Sequence, residues 1–114
     1  MLLKKEIATK FENSKTCSVF SYEDYQKEDL SLATAIINGR YPEKDRVLNS
    51  ESKEIYYVIS GDGIIYSEKG EFKIKKGDFY VFEKSEKYYV KGNDLHLSIL
   101  NIPKFTVEQH HNVK

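Results

Sequence analysis

The sequence predicts an all-β fold, a barrel or sandwich built from short antiparallel strands. From residue 54 onward, glycines recur at short intervals and separate segments of strand length that are rich in Ile, Val, Tyr and Phe. These glycines are Gly61, Gly63, Gly70, Gly77 and Gly92. No segment shows a sustained helical period with capping residues. Regular turn signals between β-branched and aromatic runs are typical of small all-β domains.

The turn signals define the expected strands one by one. We expect strands at 32–37, 46–48, 54–60, 64–68, 72–75, 79–83, 88–91 and 95–101. Asn38 and Gly39 supply a turn dipeptide after the first of them. Pro42 indicates a loop over most of residues 40–53, because proline removes a backbone donor. Residues 1–31 contain neither glycine nor proline, so their boundaries are not marked.

The chain length of 114 residues fits a single domain. We divide it into an N-terminal segment (1–31), a barrel core (32–103) and a C-terminal tail (104–114). Phe105 and Val107 can dock the tail on the barrel. Two outcomes are open for the end of the tail: His110 or His111 reaches a pocket mouth, or the terminus frays. We expect the frayed terminus.

Charge and cysteine content exclude several classes of function. The 18 basic and 18 acidic side chains cancel, so no overall field attracts the protein to nucleic acid or to an anionic membrane. Zero net charge favours self-association, and we expect a homodimer with outward-facing Tyr57 and Tyr89 at its interface. Cys17, the single cysteine, cannot form an internal disulfide, and the first residues lack the apolar run of a signal peptide. We therefore expect a soluble, cytoplasmic protein.

Two phrases in the chain resemble the sequence motifs of a known superfamily. In the first, Gly39 lies upstream of Glu54, which is separated by six residues from Gly61. In the second, Gly77 and Asp78 lead into an aromatic strand. These phrases are similar to the two motifs of the cupin superfamily. The resemblance implies a jelly-roll β-barrel whose interior holds the functional site.

The same motifs in cupins carry histidines that bind a metal. Here the paired histidine positions fall on Leu48 and Ser50, or on Val47 and Asn49, and the third falls on Tyr88. Only Glu54 remains of the usual ligands. A lone carboxylate does not hold a divalent transition ion, which needs several converging ligands. We therefore expect no metal and no other cofactor.

The expected ligand-binding site is a pocket inside the barrel that includes Asn49, Glu54, Tyr56, Tyr88 and His96. Glu54 serves there as a base or a hydrogen-bond anchor, because burial raises the pKa of a carboxyl group; otherwise a neighbour or solvent satisfies it. Tyr88 donates a hydrogen bond to a ligand, or fills the space of the metal as an aromatic plug. His96 lies on a strand face that is either pocket or solvent.

Three functions remain open from these residues. The first is binding of a small sugar-like or carboxylate molecule without a metal. The second is a metal-independent isomerase, epimerase or lyase on a sugar-like substrate, in which Glu54, Tyr88 or His96 moves the proton; the resemblance to cupin-like sugar epimerases implies this option. The third is a structural or regulatory partner, for which we expect a barrel filled by its own side chains.

Overall fold

The computed structural model describes residues 1–25 and 27–114, and their regular structure is almost entirely β-strand. The strands are β1 (Thr9–Ser14), β2 (Cys17–Ser21), β3 (Ser31–Tyr41), β4 (Arg46–Asn49), β5 (Lys53–Ser67), β6 (Gly70–Lys75), β7 (Phe79–Phe82), β8 (Tyr88–Ile102) and β9 (His110–Val113). Short 3-10 helices lie at Lys5–Ile7, Glu23–Tyr25 and Val107–Gln109. The all-β prediction is confirmed. Within the described residues, no helix is long and apolar enough to cross a membrane.

Strand β8 is the centre of the curled sheet. It pairs antiparallel with β3 on one side and with β5 on the other, along most of its length. Strands β2 and β1 extend the sheet beyond β3, while β6 and β7 pair with β5. Strand β4 joins β8 at Tyr88 and also pairs with β9. The result is a jelly-roll barrel with a hollow interior.

Two long strands change the face that they bury part-way along. In β5, Glu54 and Tyr56 are buried before an irregularity at residues 58–62, and Ile65 is buried after it. Even-numbered residues therefore point inward in the first half and odd-numbered residues in the second, as expected when an irregular residue interrupts a period of two. Strand β8 changes face in the same way around residues 93–94.

The prediction of turns near Gly61 and Gly92 is wrong, because β5 and β8 run straight through these residues. A Cβ atom on Gly61 would lie 2.0 Å from the carbonyl oxygen of Asp94, and one on Gly92 would lie 2.3 Å from that of Ile37. Glycine is needed here because the backbones of neighbouring paired strands approach each other closely where the register is irregular, not because the chain reverses. The turn expected at residues 38–39 is wrong as well, since β3 continues to Tyr41.

The C-terminal tail is part of the barrel, so the prediction of a frayed terminus is wrong. His110–Val113 pair with Arg46–Asn49 as an antiparallel strand. The buried side chain of Gln109 holds the segment before it, since its Oε1 accepts from the Glu51 amide at 3.1 Å and its Nε2 donates to the Lys104 carbonyl at 3.0 Å. The tail is thereby fixed against the interior of the barrel.

Candidate functional site

A cavity of about 900 Å³ lies in the barrel between β1–β3, β5, β8 and the C-terminal segment. Apolar lining residues include Cys17, Val19, Ala35, Ile37 and Ile99. The inward-facing polar groups of the lining are Tyr41, Glu54, Tyr56, Tyr88, Asn101 and His110. The barrel is therefore not filled by its own side chains, and the cavity volume falls in the range of small-molecule sites, roughly 300–1,000 Å³.

Glu54 and Tyr88 form a buried hydrogen-bonded pair in this cavity. The Tyr88 hydroxyl donates to Glu54 Oε2 at 2.9 Å. Burial raises the pKa of Glu54, while the hydrogen bond from Tyr88 and the nearby Asn101 and Asn49 amides oppose that rise only in part. Burial and the nearby carboxylate raise the pKa of Tyr88 well above its ordinary value. Glu54 can therefore act as a carboxylic acid at a higher pH than an exposed glutamate can.

Tyr41 and His110 form a second pair, which Asn49 supports. The Tyr41 hydroxyl lies 3.2 Å from His110 Nε2, and His110 Nδ1 lies 2.9 Å from Asn49 Oδ1. Burial lowers the pKa of His110, and the neighbouring His111 lowers it further. The imidazole is therefore neutral at neutral pH and can accept a proton.

Three further contacts fix the polar groups of the cavity. The aromatic ring of Phe82 stacks on Tyr88 with 3.9 Å between centroids and meets Tyr56 edge-on at 4.8 Å. The Asn101 amide donates to Ser52 Oγ at 3.1 Å, which holds it beside Glu54. The tyrosine hydroxyls and the carboxyl group are thus held in place before any ligand arrives.

The structure brings four of the five site residues expected from the sequence to the inner side of the barrel. Glu54, Tyr56 and Tyr88 line the cavity, and Asn49 lies behind His110 rather than on the cavity surface. His96 is the exception. Its side chain is 38% exposed and its Nε2 lies 3.4 Å from the Asp94 carboxylate, whereas its neighbours Leu95 and Leu97 are fully buried. His96 faces solvent and is not part of this site.

The sequence does not indicate Tyr41, which falls in the expected loop of residues 40–53, and it offers a pocket-mouth position for His110 only as the alternative to a frayed tail. Strand pairing carries both residues to the cavity. The signal in the sequence is Phe105, one of the two apolar residues expected to dock the tail, which packs its ring edge-on against His110 with 5.6 Å between centroids. The prediction for the other, Val107, is wrong, because its side chain is 77% exposed.

Solved structures with the same fold identify the architecture. The nucleoside dehydratase Pac13 from Streptomyces superposes with a TM-score of 0.88 at 16% identity, over 100% of this chain and 91% of that one. Three variants of Pac13 have structures with uridine, two with a tyrosine changed to phenylalanine and one with a histidine changed to glutamine. Ectoine synthase from P. lautus gives 0.74 at 18% identity over 100% and 91% of the two chains. The cupin domain of Schizosaccharomyces pombe Cnp3 gives 0.65 at 15% over 83% and 69%.

The protein has the cupin fold. The expectation drawn from Glu54, Gly61 and Gly77 is thereby confirmed. No protein-family model matches the sequence, and no curated protein matches it significantly.

The donor set of this cupin cavity does not fit a divalent transition metal. Among the residues that the structure describes, no three His, Cys, Asp or Glu side chains lie close enough together to hold an ion. His110 is engaged at both ring nitrogens, and the Glu54 carboxyl group is engaged by Tyr88. The other inward-facing groups are phenols, an amide and the Cys17 thiol, whose pKa burial raises to about 12, while the acidic lining residues Glu23, Glu43 and Glu108 are exposed. This set is a poor substitute for the usual imidazoles.

We expect Tyr88→Phe to raise the pKa of Glu54 further within the cupin barrel. The substitution removes the strongest interaction that lowers this pKa, while the burial that raises it remains. Tyr80→Phe is a matched control, because the Tyr80 hydroxyl donates at 2.6 Å to Glu86 instead. Carboxyl ¹³C NMR titration of both variants measures the effect, and an unchanged Glu54 pKa in Tyr88→Phe would contradict the assigned hydrogen bond.

The same shift has a defined consequence for stability. The pKa of Glu54 is higher in the folded than in the unfolded state, so the folded protein binds more protons between the two values. The free energy of unfolding therefore falls as pH rises through that interval. Tyr88→Phe widens the interval toward higher pH.

Proposed function

We propose that the protein is a metal-independent lyase that eliminates water from a sugar-containing small molecule held in the barrel cavity. The observation that carries this proposal is the convergence of two acid/base pairs, Glu54 with Tyr88 and His110 with Tyr41, on one cavity. Burial shifts the pKa of Glu54 upward and that of His110 downward, which supplies an acid and a base that coexist near neutral pH.

The proposed reaction uses these two pairs in complementary roles. The Tyr41–His110 pair takes a proton from a substrate carbon, and that proton comes to rest on His110 Nε2. The C–H electron pair becomes the second bond of a C=C double bond, and the hydroxyl on the adjacent carbon leaves as water with a proton from Glu54. Solvent returns the proton from imidazolium to carboxylate between turnovers. A base of this strength requires a C–H bond acidified by a neighbouring carbonyl group.

A neutral, hydroxyl-rich ligand fits the cavity better than a carboxylate. The polar lining offers phenols, an amide and an imidazole beside apolar side chains, which suits a sugar ring with an attached apolar or aromatic group. A carboxylate would meet Glu54 without a buried cation, since Lys44 is exposed and Lys104 is paired with Glu28 at 3.1 Å. The similarity to Pac13, a nucleoside dehydratase studied with uridine, supports a nucleoside as the first ligand to test.

Calorimetric titration of uridine into chelator-treated protein tests the proposal. We expect saturable binding near one ligand per chain, weakened about tenfold or more by Tyr56→Phe or Glu54→Ala because each removes a buried polar group that faces the ligand. His96→Ala, on the outer face, is the matched control and should bind as the wild type does. Absence of binding across a panel of nucleosides and sugars would refute the ligand class.

The metal-independence has its own test. We expect elemental analysis to find far less than one transition metal per chain, and we expect no rise in melting temperature on addition of zinc, nickel or manganese. About one metal per chain, with a melting rise that Glu54→Ala abolishes, would overturn this part of the proposal and restore metal chemistry.

We also propose that the protein forms a homodimer through the outer face of β5 and β7. This face exposes Ile59, Phe79 and Val81, which are 45%, 65% and 44% exposed, and Tyr57 packs on Phe79 with 4.7 Å between ring centroids. Light scattering at tens of micromolar should give the mass of two chains. Phe79→Lys should shift it to one chain, and a wild-type monomer would remove the proposal.

Tyr89 has a different environment from the one expected at the interface. Its ring stacks on Tyr66 with 4.5 Å between centroids. The Arg40 guanidinium lies 4.0 Å from the centroid of the Tyr89 ring. This residue therefore supports the barrel wall and is not included in the proposed interface.

A further inference from the structure

Asn49 lies behind the Tyr41–His110 pair rather than on the cavity surface. It is 3% exposed and is the direct partner of His110 in the β4–β9 ladder. Its Oδ1 lies 2.9 Å from His110 Nδ1, on the side of the ring opposite Tyr41. Asn49 thus contacts the imidazole without being able to contact a ligand.

The two ends of the Asn49 amide face different groups. The amide lowers the pKa of Glu54, which is the effect of an NH₂ group turned toward a carboxylate. Its Nδ2 nonetheless has no hydrogen-bond partner among the described residues, and it is the one buried side-chain polar atom there in that condition. The reverse orientation would turn the amide oxygen toward the Glu54 carboxyl group and the NH₂ toward the imidazole. The surroundings therefore favour the carbonyl oxygen on the His110 side.

We propose that Asn49 is a positioning residue that holds neutral His110 in the tautomer protonated at Nδ1, so that Nε2 is the basic atom of the Tyr41–His110 pair. A carbonyl oxygen only accepts hydrogen bonds, so Nδ1 must carry the proton in this contact. A neutral imidazole has one donor and one acceptor nitrogen, and Nε2 therefore presents its lone pair toward Tyr41 and the cavity. The catalytic meaning of this tautomer rests on the proposed function, whereas the tautomer itself does not.

Imidazole ¹⁵N NMR of the wild-type protein tests the assignment without any substrate. At neutral pH we expect His110 to show a protonated Nδ1 and an unprotonated Nε2. His111, which is exposed, is the internal control and should show the tautomer mixture of an exposed histidine. A His110 protonated at Nε2, or a mixture like that of His111, would overturn the proposal.

Two substitutions then separate positioning from simple packing. Asn49→Asp keeps the shape of the side chain but adds a negative charge. It should raise the pKa of His110 by about one pH unit or more while the proton stays on Nδ1. Asn49→Ala should abolish the tautomer preference. The Tyr41 hydroxyl also contacts the ring, and His111 is its neighbour along β9, so Tyr41→Phe is measured alongside and should leave the tautomer unchanged. If His110 keeps its tautomer and pKa in both Asn49 variants, the proposal is wrong, whether or not uridine binds.

Discussion

Gly61→Ala is expected to lower the free energy of unfolding by about 3–5 kcal/mol, an exceptional loss for one methyl group. The new Cβ would lie 2.0 Å from the Asp94 carbonyl oxygen, a backbone atom that cannot move without displacing β8. The residue also has φ of +76°, where a side chain adds strain. Denaturant unfolding measures the loss.

Gly77→Ala is the matched control for this prediction. Gly77 also has a positive φ, +93°, but a Cβ there would meet nothing within 4 Å. Its substitution should cost only the backbone strain, about 1–2 kcal/mol. Equal losses of unfolding free energy at the two positions would show that the backbones of β5 and β8 do not approach each other as closely as the structure places them.

His110→Gln is expected to reduce turnover of the substrate by about 10²–10⁴-fold, the usual contribution of a general base. The glutamine amide can still hydrogen-bond to Tyr41 but cannot take up a proton, so ligand affinity should change far less than the rate. His111→Gln, one residue along the same strand and exposed, is the matched control. Single-turnover kinetics measure both variants on a nucleoside whose sugar carries a carbonyl group next to the C–H bond, because the ribose of uridine lacks that group.

The opposite outcome is equally informative. If His110→Gln and His111→Gln both retain the wild-type rate, His110 is not the base, and the Glu54–Tyr88 pair must be reconsidered for that role. If affinity is lost in proportion to rate, His110 contributes to binding rather than to proton transfer.

The strand content could be predicted from the sequence, but the meaning of each glycine could not. Apolar β-branched and aromatic runs identify strands through local preference. A glycine in the sequence can indicate either a residue with positive φ or a close approach between two backbone segments, and the sequence does not say which. Gly70 and Gly77 do lie at turns, whereas Gly61 and Gly92 lie inside strands whose backbones approach a paired neighbour closely. Only the three-dimensional path of the chain distinguishes the two uses.

The site was predictable as far as strand alternation extends. Glu54 and Tyr56 share the inner face of β5, as a period of two requires. His96 has the same parity as the buried Tyr88, but the irregularity at residues 93–94 reverses the faces of β8 between them. Such a reversal is not visible in local sequence.

The remaining site residues depend on contacts between distant parts of the chain. Asn49 and His110 are 61 positions apart, and Tyr41 and His110 are 69 apart. Pairing of β4 with β9 creates the first contact, whereas the second joins β9 to the end of β3. No periodicity within either segment indicates that they meet.

A crystal structure of the wild-type protein with uridine tests the central claim most directly. We expect the ribose between the two pairs, with its hydroxyl groups within hydrogen-bond distance of Glu54 or Tyr88 on one side and of Tyr41 or His110 on the other, and no metal ion between them. Ribose density outside the cavity, or a cavity ligand that contacts neither pair, would contradict the proposed lyase site.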